Sequence, residues 1–146
     1  WFADRLDSLC GGGEVVSIDI ESAHPQAAFI DDPRVTFRQG DLTEKKVADW
    51  VREWVGGRRA MVIEDSRHDY TTTLAALRLY SPLVQKGQLF VVEDTIVDDK
   101  EMSIFGDHGV VPAIDDFLKE EPRFVRQNLD LYGITMHSGG WLEAIE

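Results

Sequence analysis

The sequence has little cysteine and few cations for its length. Cys10 is the one cysteine among 146 residues, which excludes an internal disulfide and any zinc site built on several thiolates. It follows Leu6 and Leu9 in an apolar pattern, so it is expected to be a small buried residue and not a nucleophile. Lys and Arg number 15 against 27 Asp and Glu, giving a net charge of −12. Binding to duplex nucleic acid needs a surplus of cations to displace phosphate counterions, so this charge argues against a nucleic-acid partner. No run approaches the roughly 18 consecutive apolar residues of a membrane helix, and a membrane partner is not expected. The chain opens Trp1-Phe2-Ala3-Asp4-Arg5, with neither a charged leader nor a long apolar stretch, so a cytoplasmic location is expected. It also lacks an initiator Met and starts in mid-pattern, with Trp1, Phe2, Leu6 and Leu9 at helical spacing. The expectation is the later part of a longer protein.

What remains is a chain 43% hydrophobic and 29% charged, too apolar for disorder. At this length about 68–70% of the unfolded surface is buried, enough for one core. A single α/β domain over residues 1–146 is expected, with no repeat, linker or low-complexity tract. Gly11-Gly12-Gly13 reads as a helix stop, followed by a β-rich run Val15–Ile20. Val35-Thr36-Phe37-Arg38 is a second strand, set off by Asp32-Pro33. Residues 43–55 read as a helix capped by Thr43, with Val47, Trp50, Val51 and Trp54 on one face and Gly56-Gly57 ending it. The two tryptophans are expected in the core rather than on a base-stacking platform.

Ala60-Met61-Val62-Ile63 and Leu89-Phe90-Val91-Val92 are continuous apolar runs, the mark of parallel strands covered on both faces. Between them, residues 70–84 read as a helix with Leu74, Leu77 and Leu83 inward, its last turn complicated by Pro82. Residues 96–110 are polar and glycine-bearing and read as a mobile loop. Pro112 suits the first turn of a helix carrying Ile114, Phe117 and Leu118. Two last strands, near 123–127 and 133–137, form an antiparallel edge that closes with Trp141. The fold class is α/β, a mostly parallel sheet with helices on both faces.

In such a sheet ligands bind beyond the carboxyl ends of the strands. Acids recur there: the first strand runs into Asp19, the third into Glu64-Asp65, and the fourth into Glu93-Asp94. Adjacent parallel strands would bring Asp65, Glu93 and Asp94 to one rim. Packed carboxylates repel one another unless a cation sits among them, and oxygen ligands suit Mg²⁺ or Mn²⁺. The same acids could instead cap helices or face water, and the residues alone leave both readings open. His68, three positions after Asp65, returns to that rim if a helix begins there, where it could take a proton from a substrate hydroxyl. His24, His108 and His137 have no comparable carboxylate setting. The Gly11–Gly13 run precedes a strand, whereas a phosphate loop must follow one. Gly40-Asp41-Leu42 is better placed, and its ordinary reading is a turn with a helix-capping aspartate.

Asp65-Ser66-Arg67-His68, then Leu79-Tyr80-Ser81-Pro82-Leu83-Val84, then Phe90-Val91-Val92-Glu93-Asp94-Thr95 resemble one known family. It is the cephalosporin hydroxylase/rhamnosyl O-methyltransferase group of class I S-adenosylmethionine-dependent methyltransferases, related to the macrolide-sugar O-methyltransferases. The likeness extends from about residue 12 to the closing Gly139-Gly140-Trp141-Leu142. The resemblance implies a Rossmann-like sheet with an antiparallel C-terminal edge. It also implies Mg²⁺ held by Asp65, Glu93 and Asp94, with His68 as general base. Asp19 would hold the cofactor ribose, and Gly40, Asp41 and Leu42 would lie beside the adenine. The family's first strand and glycine-rich loop would precede Trp1, so both are expected to be missing from this chain.

The function expected is therefore Mg²⁺-dependent transfer of a methyl group from S-adenosylmethionine to a hydroxyl of a small molecule, a sugar or natural product. Two alternatives stand beside it. One is a non-catalytic interaction domain that kept the sheet and lost the cofactor loop. The other is an iron-dependent hydroxylase, which needs two histidines with one carboxylate, whereas only His68 reads as lying near the acids. The acceptor is not named by the sequence, and homo-oligomerisation stays open.

Overall fold

Gly11 and Gly12, with φ of 75° and 132°, stop the first helix, and the Gly12 N–H closes back on the Leu6 carbonyl at 3.2 Å. That helix, α1, spans Phe2–Cys10. The computed structural model describes residues 2–21, 31–98, 108–129 and 135–146. His24 and the centre of the 96–110 segment lie outside them.

The chain divides into two compact units, Trp1–Val47 and Ala48–Glu146. In the first, β1 (Val15–Asp19) and β2 (Val35–Gln39) pair in parallel, from Val15 opposite Val35 to Asp19 opposite Gln39. Arg34, just before β2, ties the unit together. Its guanidinium bonds Asp32 (2.9 and 2.5 Å), Asp4 (2.9 Å), the Ala3 carbonyl (3.2 Å) and Asp7. Of α1 only Ala3 is buried; Leu9 is 77% exposed and Cys10 is exposed too. The expectation of a buried Cys10 is thus corrected: it ends a helix anchored by Asp4, Asp7 and the Ala3 carbonyl on Arg34, and it sits beside exposed Leu9.

Helix α2 spans Lys45–Val55 across the division. Its buried stripe is Val47, Ala48, Val51 and Val55. Trp50 and Trp54 are only half-buried, and Arg58 stacks over the Trp54 ring at 4.7 Å. Thr43 was expected to cap this helix. Instead its N–H and hydroxyl both donate to Asp41 Oδ1, at 2.8 and 2.6 Å, and the helix starts two residues later. Gly56 and Gly57, both left-handed, end it as expected.

The second unit holds a four-stranded sheet in the order β3-β4-β6-β5. Strands β3 (Val62–Glu64) and β4 (Leu89–Val92) are parallel, while β6 (Trp141–Ala144) runs antiparallel to both β4 and β5 (Phe124–Arg126). Central β4 is buried at Phe90, Val91 and Val92, as its apolar run requires. Strand β3 is not: Met61 is outside the strand and Ile63 is 37% exposed, and among the described residues β3 is an edge strand, paired with β4. The last strand lies at 141–144 rather than 133–137; residues 135–137, the described part of that expected strand, are turn-like.

Helix α3 (Tyr70–Tyr80) buries Leu74 and Leu77, and Pro82 opens a 3-10 turn, Ser81–Leu83, in place of a last α-turn. Helix α4 (Val110–Glu120) buries Ile114 and Phe117 completely, with Phe117 against Phe124 of β5 at 5.4 Å between ring centres. Each such side chain contributes about 1.5–3 kcal/mol by leaving water. At the two described ends of the stretch read as a loop, Thr95–Asp98 is a 3-10 turn and Val110 is already helical.

Candidate functional site

Register places the acids. Parallel pairing ends with Glu64 opposite Val92, so Asp65 and Glu93 leave the sheet side by side, and the Glu93 N–H donates to the Glu64 carbonyl at 2.8 Å. Helix α3 does not begin until Tyr70. Asp69 caps it by accepting the Thr72 N–H at 2.8 Å, which also holds the Asp69 carboxyl below its ordinary 3.8. His68 is therefore not on a first helical turn, as the sequence reading supposed. It sits before the cap with φ 54°, and that left-handed backbone turns its ring back to Asp65, Nε2 to Oδ1 3.2 Å. Asp94, with φ 51°, brings its Oδ2 to 3.8 Å from the same nitrogen. These are the only non-glycine residues with positive φ among the described residues, and strain of this kind costs about 1–3 kcal/mol per residue.

The other side of the rim comes from the C-terminal strand. Because β6 is antiparallel to β4, with Trp141 opposite Val91, the residues before Trp141 arrive at the end of β4 where Glu93 and Asp94 leave it. Backbone bonds fix them there: Val92 N–H to the Gly140 carbonyl (2.9 Å), Gly140 N–H to His137 (2.8 Å) and Ile96 N–H to Met136 (3.0 Å). The Thr95 hydroxyl donates to the Ser138 carbonyl at 2.8 Å. His137 thereby lies with Nδ1 3.3 Å from Glu93 Oε2, its ring set edge-on to Trp141 at 5.6 Å. The expectation that His137 has no carboxylate setting is corrected. It was missed because the strand was placed at 133–137, which would have put His137 inside a ladder.

The donors form two triads, Asp65–His68–Asp94 and Glu93–Asp94–His137, each with donor atoms within 4.8 Å of one another. Asp94 belongs to both, whereas Asp65 and Glu93 fall in different ones. Carboxylate oxygens suit Mg²⁺ and Mn²⁺, and imidazole nitrogens suit the later first-row ions, so the residues fit a divalent cation. Buried Glu64, beside this rim, turns one oxygen to the Ser66 N–H (3.2 Å) and hydroxyl; its Oε2 is buried without a hydrogen-bond partner.

The residues assigned to the cofactor lie in the first unit. Asp19 ends β1, is exposed, and accepts the Glu21 N–H at 2.9 Å; its carbonyl accepts the Gly40 N–H at 2.8 Å. Asp19 and the Gly40-Asp41-Leu42 turn are thus neighbours at the carboxyl ends of β1 and β2. Gly40 has a packing reason to be glycine, because a Cβ there would stand 2.8 Å from Val47 Cγ2. Asp41 organises the turn into α2 through Thr43.

Comparison with known proteins bears on the fold and the family. A family profile described as rhamnosyl O-methyltransferase/CmcI matches residues 1–145. No curated protein sequence matches significantly. Among solved structures, MycE methyltransferase from the mycinamycin biosynthetic pathway, in complex with Mg and SAH (crystal form 1), is 21% identical with a TM-score of 0.56. The match covers 78% of this chain and 32% of that one. MycE in complex with Mg, SAH and mycinamycin VI is 23% identical with a TM-score of 0.52, covering 65% of this chain and 25% of that one. The chain therefore spans at most about a third of these relatives' length. At such identities the likeness shows the fold alone, and the profile shows the lineage: the chain belongs to the rhamnosyl O-methyltransferase/CmcI family.

Proposed function

We propose that the chain carries the metal-binding and proton-accepting side of a Mg²⁺-dependent O-methyltransferase that uses S-adenosylmethionine and acts on a hydroxyl of a small molecule, a sugar or natural product. The observation that carries this reading is the Asp65–His68–Asp94 cluster, in which two of three residues hold left-handed backbones to face each other. Membership of an O-methyltransferase family supports it, as do the fold relatives that bind Mg and SAH.

Asp65, Glu93 and Asp94 are the carboxylates that would hold the cation, with Asp94 common to both triads. A bound Mg²⁺ or Mn²⁺ supplies Lewis acidity that makes an acceptor hydroxyl easier to deprotonate. His68, whose Nε2–H donates to Asp65 at 3.2 Å, would take that proton at its other ring nitrogen, Nδ1, and the Asp65 and Asp94 carboxylates at 3.2 and 3.8 Å from Nε2 would stabilise the imidazolium formed. Asp19 would hold the cofactor ribose hydroxyls, and Gly40, Asp41 and Leu42 would serve the adenine, as the family resemblance implies.

The hydroxylase alternative loses its ground differently from expected. A second histidine does reach the acids, yet each triad contains one histidine, so no two-histidine, one-carboxylate set forms among the described residues.

Titration of the chain with Mn²⁺ by calorimetry tests the reading. Saturable binding that is lost in Asp94→Asn is the expected result. A folded chain with no binding would overturn it in favour of a non-catalytic interaction domain.

A further inference from the structure

Three features set His137 apart from a solvated loop histidine. Its position is imposed by the backbone, since the 136–140 turn is held by hydrogen bonds to Val92, Thr95 and Ile96 and none of these uses the imidazole. Its ring is oriented by the edge contact with Trp141. Its Nδ1 is fully buried with no hydrogen-bond partner, although Glu93 Oε2 lies only 3.3 Å away, because that contact lacks hydrogen-bond geometry. A buried imidazole nitrogen without a partner has given up its solvation and gained no hydrogen bond in return, a loss that a ligand would restore.

The spacing fits a shared ion. Two donors about 2.1 Å from one cation, at right angles to each other, stand about 3.0 Å apart. Nδ1 and Oε2 at 3.3 Å are close to that separation, and Asp94 completes the group within 4.8 Å.

We propose that His137 is a nitrogen ligand, through Nδ1, to a divalent cation held with Glu93 and Asp94, and that it biases the centre towards Mn²⁺ or a later first-row ion over Mg²⁺. The inference rests on the metal reading above and extends it from a carboxylate centre to a mixed oxygen and nitrogen one. Mg²⁺ is a hard ion that gains little from imidazole, whereas the affinity of nitrogen ligands rises along the first row from Mn²⁺.

The test uses Mn²⁺ and Mg²⁺ themselves as probes, with the whole chain and its His137→Gln, His68→Gln and Asp94→Asn variants. Pulsed EPR of bound Mn²⁺ is expected to show nitrogen modulation in the unsubstituted chain and in His68→Gln, and none in His137→Gln. Calorimetry is expected to show Mn²⁺ affinity falling about tenfold or more in His137→Gln, with Mg²⁺ affinity nearly unchanged. Mn²⁺ still bound by His137→Gln would itself show that this variant is folded. Nitrogen modulation that survives His137→Gln, or equal losses for the two ions, would overturn the inference while leaving the carboxylate centre standing. No Mn²⁺ binding by the folded, unsubstituted chain would overturn both.

Discussion

His68 and Asp94 face each other across the ends of β3 and β4, Nε2 to Oδ2 3.8 Å, and both hold a left-handed backbone that an L side chain rarely adopts. Glycine takes that conformation freely, so the ordinary ranking of substitutions should invert at position 68. His68→Gly is expected to be about 1 kcal/mol more stable than His68→Ala. Urea denaturation of the two variants measures the difference; an alanine variant at least as stable as the glycine one would remove the strain argument.

Asp94 serves both triads, so its loss should matter more than that of either flanking acid. Asp94→Asn is expected to weaken Mn²⁺ binding at least about 100-fold, with Asp65→Asn and Glu93→Gln each weaker in effect. Calorimetry on the three variants gives the order directly. Equal effects from all three would point to a centre in which Asp94 has no special position.

How far this site was legible follows the strands. Asp65, Glu93 and Asp94 could be placed because continuous apolar runs end in acids, and parallel register does the rest. His68 was found by its distance from Asp65, for the wrong local reason: a left-handed residue before the Asp69 cap turns it, not a helix. Positive φ at a histidine has no sequence mark. His137 was missed because it reaches the rim through antiparallel β6, and the pairing of Trp141 with Val91 is a tertiary fact absent from local pattern. Ile63 misled in the opposite direction, since apolar runs look alike on central and edge strands.

Gly140 couples the fold to the site. A Cβ there would lie 2.1 Å from the Val92 carbonyl oxygen, and that backbone cannot yield without breaking the Val92 N–H to Gly140 carbonyl bond. Gly140→Ala should cost about 3 kcal/mol in stability and draw His137 away from Glu93. Denaturation together with Mn²⁺ calorimetry checks both effects. A variant of unchanged stability would contradict the close approach.

Helix α4 has a cap that arrives from outside its own sequence. Asp98 accepts from the N–H groups of His108 (2.9 Å), Gly109 (2.7 Å) and Val111 (2.6 Å), serving a helix start that Gly109 has no side chain to cap. Asp98→Ala should destabilise the chain by about 2 kcal/mol, and Asp98→Asn by less because one acceptor oxygen remains. Amide exchange at 108, 109 and 111 should quicken in the alanine variant. Unaltered protection there would mean that these amides find other partners.

The Arg34 cluster gives the first unit a dependence on acid. Arg34 holds the Asp32 carboxyl down from 3.8 to about 2, chiefly through its side-chain hydrogen bonds. A carboxyl depressed by folding contributes its full stabilisation above the unfolded value and loses it as pH falls towards the folded one. The Asp32 contribution should thus be intact above about pH 4 and gone near pH 2, with Asp4, lowered by the same guanidinium, adding to the slope. The comparison that isolates it is unsubstituted chain against Asp32→Asn in urea across this window. The gap between them should close as the pH falls from 4 to 2; a constant gap would mean that Asp32 stabilises by shape or backbone bonding and not by its charge on Arg34.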